Sequence, residues 1–189
     1  MKPHMTLLDR LGACSEASIF AAACPNLKQA WETCNRPDWI IWFVRHLDFN
    51  DTKMFRLYAC WCVRNTPLGD GRKGWDLLTD KRSRDAVEVA ERFAEGNASR
   101  EELATARDAA GAAAWAVGAA VGDAAGAAWA ARAARAAAGD AGDARAAARD
   151  AGAAGDAARD AQTNRLRELI PYSTVSKLVT AYNRKRKAA

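Results

Sequence analysis

Between Ala104 and Ala161, 32 of 58 positions are alanine, and no proline occurs between Pro67 and Pro171. Alanine loses no side-chain entropy in a helix and buries no polar atom, so such a tract is helical by composition. It is also weak core material, since each buried carbon contributes on the order of 1 kcal/mol and alanine brings only one methyl. The chain must therefore find its bulk elsewhere and lay the alanine-rich helices against it. Trp31, Trp39, Trp42, Trp61 and Trp75, all before the tract, are the natural supply. The expected fold is all-α, a multi-helix bundle with Trp-rich N-terminal helices packed against long alanine-rich ones. Three segments follow: a Trp-rich helical body over 1–98, an alanine-rich helical region over 99–170 packed on it, and a C-terminal helix with a basic tail over 171–189.

A single helix from Ser99 to Ala161 would run about 90 Å at 1.5 Å per residue, too long for a compact domain. The Gly139-Asp-Ala-Gly-Asp143 cluster is the expected break. Gly118, Gly122 and Gly126 stand four apart, a stripe that lets another helix backbone approach closely, and Trp115 and Trp129 share roughly one face. Ala-Arg-Asp-Ala recurs at 106–109, 148–151 and 158–161, but the separations vary, which argues against a solenoid.

The N-terminal third reads as short helices with legible stops. Thr6 is the expected cap for Leu7 to Leu11, Ser15 for a helix ending before Pro25, and Asn26 for Leu27 to Cys34. Pro37 suits the first turn of a helix to Leu47 that is apolar on nearly every side. Asn50 or Asp51 opens the next, to about Arg64, and Pro67 to Gly74 is a loop. Asp80 opens a helix that Gly96 stops, and Ser99-Arg-Glu-Glu102 has capping-box spacing at the head of the tract. A stretch from Asn164 to Ile170 ends at Pro171, and Ser173 or Thr174 caps a last helix to Tyr182.

Charge is uneven. Residues 1–99 carry 14 basic and 13 acidic side chains, residues 100–170 carry 9 and 10, and residues 171–189 carry 5 and none. The basic character belongs to the tail, so a uniformly basic nucleic-acid-binding surface is not implied. Cys14, Cys24, Cys34, Cys60 and Cys62 are odd in number and show no Cys-x-x-Cys spacing, which fits free thiols in a reducing cytoplasm. No apolar run reaches the roughly 18 residues of a membrane span, so no membrane role is expected.

Few residues suggest chemistry. His46 falls late in its helix, where a structural role is expected. Cys60 and Cys62 point apart on a helix and lack a second pair to complete a tetrahedral metal site, so both read as buried thiols. No serine, histidine and carboxylate group together, Gly69 to Gly74 lacks a phosphate-loop signature, and no cofactor is implied. Two basic features remain. Arg132 and Arg135, with Arg145 and Arg149 further on, stand among methyl groups and need a partner from another helix or an anionic ligand. Arg184, Lys185, Arg186 and Lys187 form a basic tail suited to phosphate.

The succession Ala30-Trp-Glu-Thr-Cys34, Asp38-Trp-Ile-Ile-Trp42, Leu57-Tyr-Ala-Cys-Trp-Cys62 and Ala86-Val-Glu-Val-Ala-Glu-Arg-Phe-Ala-Glu-Gly96, then a long alanine tract closing in Arg165-Leu-Arg-Glu-Leu-Ile170, resembles an alanine-rich family of phage and bacterial immunity proteins. The resemblance spans nearly the whole chain and rests on segment order. It implies an all-helical fold and a non-catalytic protein, phage-encoded and at work in the cytoplasm of a bacterial host, that neutralises a bacterial defence or toxin protein by binding it. The alternative from the residues is a nucleic-acid or nucleotide-messenger binding protein using the arginines of the tract and the basic tail. Self-association is also expected, because an unpaired small-residue helix face would be an exposed apolar patch.

Overall fold

A computed structural model describes residues 2–67, 71–119 and 155–188. Among them the chain is all-α: α1 (Pro3–Leu11), α2 (Ser15–Ala23), α3 (Leu27–Thr33), α4 (Pro37–His46), α5 (Thr52–Asn65), a 3-10 turn (Gly74–Leu77), α6 (Lys81–Glu95), α7 (Arg100–Ala119), α8 (Asp156–Leu169) and α9 (Tyr172–Ala188). The described residues contain no strand, only an isolated bridge between Pro67 and Lys73. The expected break at Gly139–Asp143, the Gly118–Gly126 stripe as a whole and Trp129 lie outside the described residues.

Two compact units are present. The first comprises residues 1–50 and 163–189. Its core is aliphatic and aromatic: Leu7, Leu8, Trp31, Ile40, Ile41, Val44, Leu166 and Ile170 are buried, with Ile41 and Val44 wholly so. The carbonyls ending α2 are taken up by α1, since Lys2 Nζ donates to Ala22 O and Cys24 O at 2.8 Å each and buried His4 Nε2 lies 3.0 Å from Ala21 O. Helix termini leave backbone groups unpaired, and here long-range side chains satisfy them. The end of α3 is held likewise by Arg167, which donates from Nε to Trp31 O at 3.0 Å and from Nη2 to Cys34 O.

The second unit comprises residues 51–162. Here α5 packs on α6, and α6 packs on α7. Phe55, Tyr58, Cys62, Val63, Val87 and Ala90 form its interior, with Leu103 and Ala110 contributed by α7. Fully burying Phe55 is worth about 2 to 3 kcal/mol, whereas Ala110 supplies one methyl, so aromatic bulk carries this packing. Fully buried Gln162 donates from Nε2 to Thr66 Oγ1 at 2.9 Å, joining residues 96 apart in sequence.

Several boundaries fall as expected. Asn26 Oδ1 accepts from Gln29 N at 2.9 Å, Asp51 Oδ1 accepts from Met54 N at 2.8 Å, and Pro37 opens α4. The capping box closes in both directions, with Glu102 N donating to Ser99 Oγ and Ser99 N to Glu102 Oε2. Gly96 ends α6 at φ 85°, the left-handed conformation glycine adopts without a Cβ clash.

Other boundaries move. The first helix starts at Pro3 rather than after Thr6, because proline at the first position has its φ preset for a helix. Ser15 is the first helical residue of α2 and Cys14 its cap, without a side-chain bond. At the other end, α8 begins at Asp156, well before Asn164. The last helix starts at Tyr172, ahead of Ser173 and Thr174, and runs through Lys187 to Ala188. Its cations sit at the helix C-terminus, where the backbone dipole favours them, and Lys185 Nζ reaches Asp48 Oδ2 at 2.8 Å.

Candidate functional site

On the first unit, α2, α3 and α4 leave an apolar cleft of about 60 Å³. Its lining includes Ala17, Phe20, Leu27, Trp31, Trp39 and Trp42. The arrangement follows from α4. Ile40, Ile41, Phe43, Val44 and Leu47 satisfy the core, so a second apolar face remains, with Trp39 and Trp42 three residues apart and only partly buried. Phe20 of α2 meets Trp39 with ring centroids 6.0 Å apart and planes tilted by 50°. Ile19 of α2 is 73 % exposed, the one large hydrophobic so exposed among the described residues, and it is not among the side chains that line the cleft.

Polar groups border this face. Arg36 lies over the Trp39 ring, its Cζ 4.5 Å from the centroid, and grips Asp38 through Nε at 2.9 Å and Nη2 at 2.8 Å. Glu16 of α2 stands 3.9 Å from Arg36 Nη1. The hydrogen bonds to Asp38 push the Arg36 guanidinium further above its ordinary value, so it is a fixed cation. One turn beyond Trp42, His46 Nδ1 pairs with Trp42 O at 2.8 Å and its ring centroid lies 4.4 Å from that of Trp42, the planes tilted by 36°. The expected helix-end role for His46 thus coincides with bracing Trp42.

The volume limits what this cleft can hold. A buried water needs roughly 10–15 Å³ of such space, so the cleft takes about the tip of one side chain. Small-molecule pockets run to about 300–1,000 Å³. Half-buried tryptophans, an arginine fixed on one of them and a pocket of one-side-chain size match the anchor composition of protein interfaces.

The residues singled out from sequence fall elsewhere. Arg132, Arg135, Arg145 and Arg149 lie outside the described residues. Arg184, Lys185, Arg186 and Lys187 occupy the exposed last turns of α9, and of these Lys185 is paired with Asp48. The aromatic face was missed because Trp39 and Trp42 read as core filler. The usable signal was α4 itself, which carries more bulky apolar residues than one buried stripe can absorb.

Four of the five thiols, Cys24, Cys34, Cys60 and Cys62, are buried and Cys14 is exposed. Burial pushes Cys60 and Cys62 each up to about 12, and raises Cys34, so these thiols stay protonated and poorly nucleophilic at neutral pH. Among the described residues no three His, Cys, Asp or Glu side chains are grouped to hold a metal ion, and no helix is long and apolar enough to cross a membrane. Comparisons with family models, curated proteins and solved structures find no match for this chain.

Proposed function

We propose that this chain is a non-catalytic binding protein that engages a protein partner through the aromatic face of α2 and α4. In the setting implied by the resemblance of the sequence, the partner is a bacterial defence or toxin component, neutralised by occupancy. The observation that carries the reading is the pairing of Trp39 and Trp42, both partly exposed, around a pocket sized for one side chain. Hot spots are rich in tryptophan and arginine and lie in such pockets, where truncation costs about 2 kcal/mol or more. Arg36 fits the same pattern, since its charge is held by Asp38 and it covers one Trp39 face.

The test is capture from a bacterial lysate on the immobilised full chain, followed by reconstitution with the purified partner. A stoichiometric protein partner whose affinity falls at least about thirtyfold with Trp39→Ala supports the reading. A partner that binds the Trp39→Ala and Trp42→Ala chains as tightly as the parent would sink it.

A further inference from the structure

A second concavity lies elsewhere on the first unit. It measures about 650 Å³, within the small-molecule range, and is walled by α1, the α2–α3 turn and α9. Tyr172, Val179 and Asn183 line it from α9. Spacings of seven and eleven residues put these three on one helix face, and Arg186 and Lys187, three and four beyond Asn183, prolong that stripe by a turn. Arg10 lines the opposite wall and Asn26 the turn between.

The charge balance is one-sided. The lining holds no acidic residue. Among the described residues Arg10, Arg186 and Lys187 have no carboxylate partner, whereas Lys185, on another side of α9, is taken by Asp48. Elsewhere in this unit Arg36 and Lys28 are matched to Asp38 and Glu32, while Arg45, Lys177 and Arg184, away from the lining, also have no carboxylate partner among the described residues. Cations left unmatched around a cleft raise the local concentration of anions.

We infer that this cleft binds a phosphorylated nucleoside, either free or as part of a single strand. Arg10, Arg186 and Lys187 would take the phosphates, Tyr172 would offer a ring for the base to stack on, and Asn26 and Asn183 would offer amides for base edges. Asn26 spends its Oδ1 on Gln29 N, which leaves its amide donors for a ligand. Guanidinium–phosphate pairing with base-on-aromatic stacking is the recurring chemistry of such sites. This inference does not depend on the aromatic face, which is lined by a different set of side chains.

The experiment is equilibrium binding on the full chain, with ATP and a short labelled single-stranded oligonucleotide as separate probes and a poly-glutamate peptide as the acidic control. Arg10→Ala, and Arg186→Ala with Lys187→Ala, are expected to weaken nucleotide binding about tenfold each, and Tyr172→Leu to weaken it while leaving the salt dependence unchanged. Lys177→Ala removes the same single charge as Arg10→Ala, from another side of α9, and is expected to leave binding intact. Circular dichroism of each variant separates lost binding from lost folding, and Arg10→Lys, which keeps the charge, should retain part of the affinity. Tight binding of ATP alone assigns a mononucleotide, and binding of the strand alone assigns nucleic acid. Failure of both probes, equal loss with Lys177→Ala, or equal retention of poly-glutamate would overturn the inference.

Discussion

Each unit places an arginine over a tryptophan, and the two stacks do different work. In the second unit Arg64 Cζ lies 4.1 Å and Arg84 Cζ 5.5 Å from the Trp75 ring centroid. Arg64 grips Glu91, 27 residues away, through Nε at 2.6 Å and Nη2 at 2.7 Å, while Arg84 Nε donates to Leu78 O at 2.6 Å. Those contacts tie α5, the 3-10 turn and α6 together. In the first unit Arg36 finds its carboxylate at Asp38, two residues on, and its tryptophan at Trp39, three residues on. This stack is set within one turn and reaches beyond it only to α2, through Glu16 at 3.9 Å and the Phe20 ring, and it leaves Trp39 and Trp42 partly exposed. The same pair of residue types is thus a clamp in one place and a presented surface in the other.

Four outcomes would break or sharpen this contrast. The largest is expected at high pH. Cys60 and Cys62 sit among the elements the clamp joins, and their raised values mean that unfolding releases protons only once the pH exceeds the ordinary thiol value. Their contribution is therefore complete below about pH 9 and is lost progressively towards about 12. In that window each thiol should remove up to about 1.4 kcal/mol of stability per pH unit. Urea unfolding across the window, compared with a Cys60→Ala, Cys62→Ala chain, measures it, and an unchanged slope in that variant would contradict it.

Next in size, Trp75→Ala, which removes a half-buried ring held by both Arg64 and Arg84, should destabilise by about 2 to 3 kcal/mol and Arg64→Ala by about 2 kcal/mol, the latter leaving Glu91 without its bidentate partner. In the same denaturation experiment Trp39→Ala or Arg36→Ala should cost only about 1 kcal/mol. Equal losses at Trp39 and Trp75 would erase the distinction between clamp and surface. The smallest effect is expected for Lys185→Ala. Its bridge to Asp48 joins two well-exposed side chains, so the shift should stay below about 0.5 kcal/mol and shrink further in salt.

How far the sequence reaches differs along the chain for physical reasons. Caps were legible at Asn26, Asp51, Ser99 and Gly96 because a cap is a local event, decided by one side chain and a few backbone groups. The starts of α8 and α9 were not, because Asn164 and Ser173 look like caps but sit inside helices that have already begun at Asp156 and Tyr172. The aromatic cleft was legible in content and not in placement. Composition marks Trp39 and Trp42 as bulky filler, and only the packing of Ile40, Ile41 and Val44 reveals which face of α4 is already taken. The basic end of α9 was visible as a charge run, but the cleft beside it depends on Arg10, more than 160 residues earlier in the chain.

The most direct test is one double variant, Trp39→Ala with Trp42→Ala, followed by thermal unfolding and partner binding on the same preparation. The account predicts a melting temperature within a few degrees of the parent chain and loss of the protein partner. A chain that unfolds as readily as the Trp75→Ala variant, or one that keeps its partner, would contradict it.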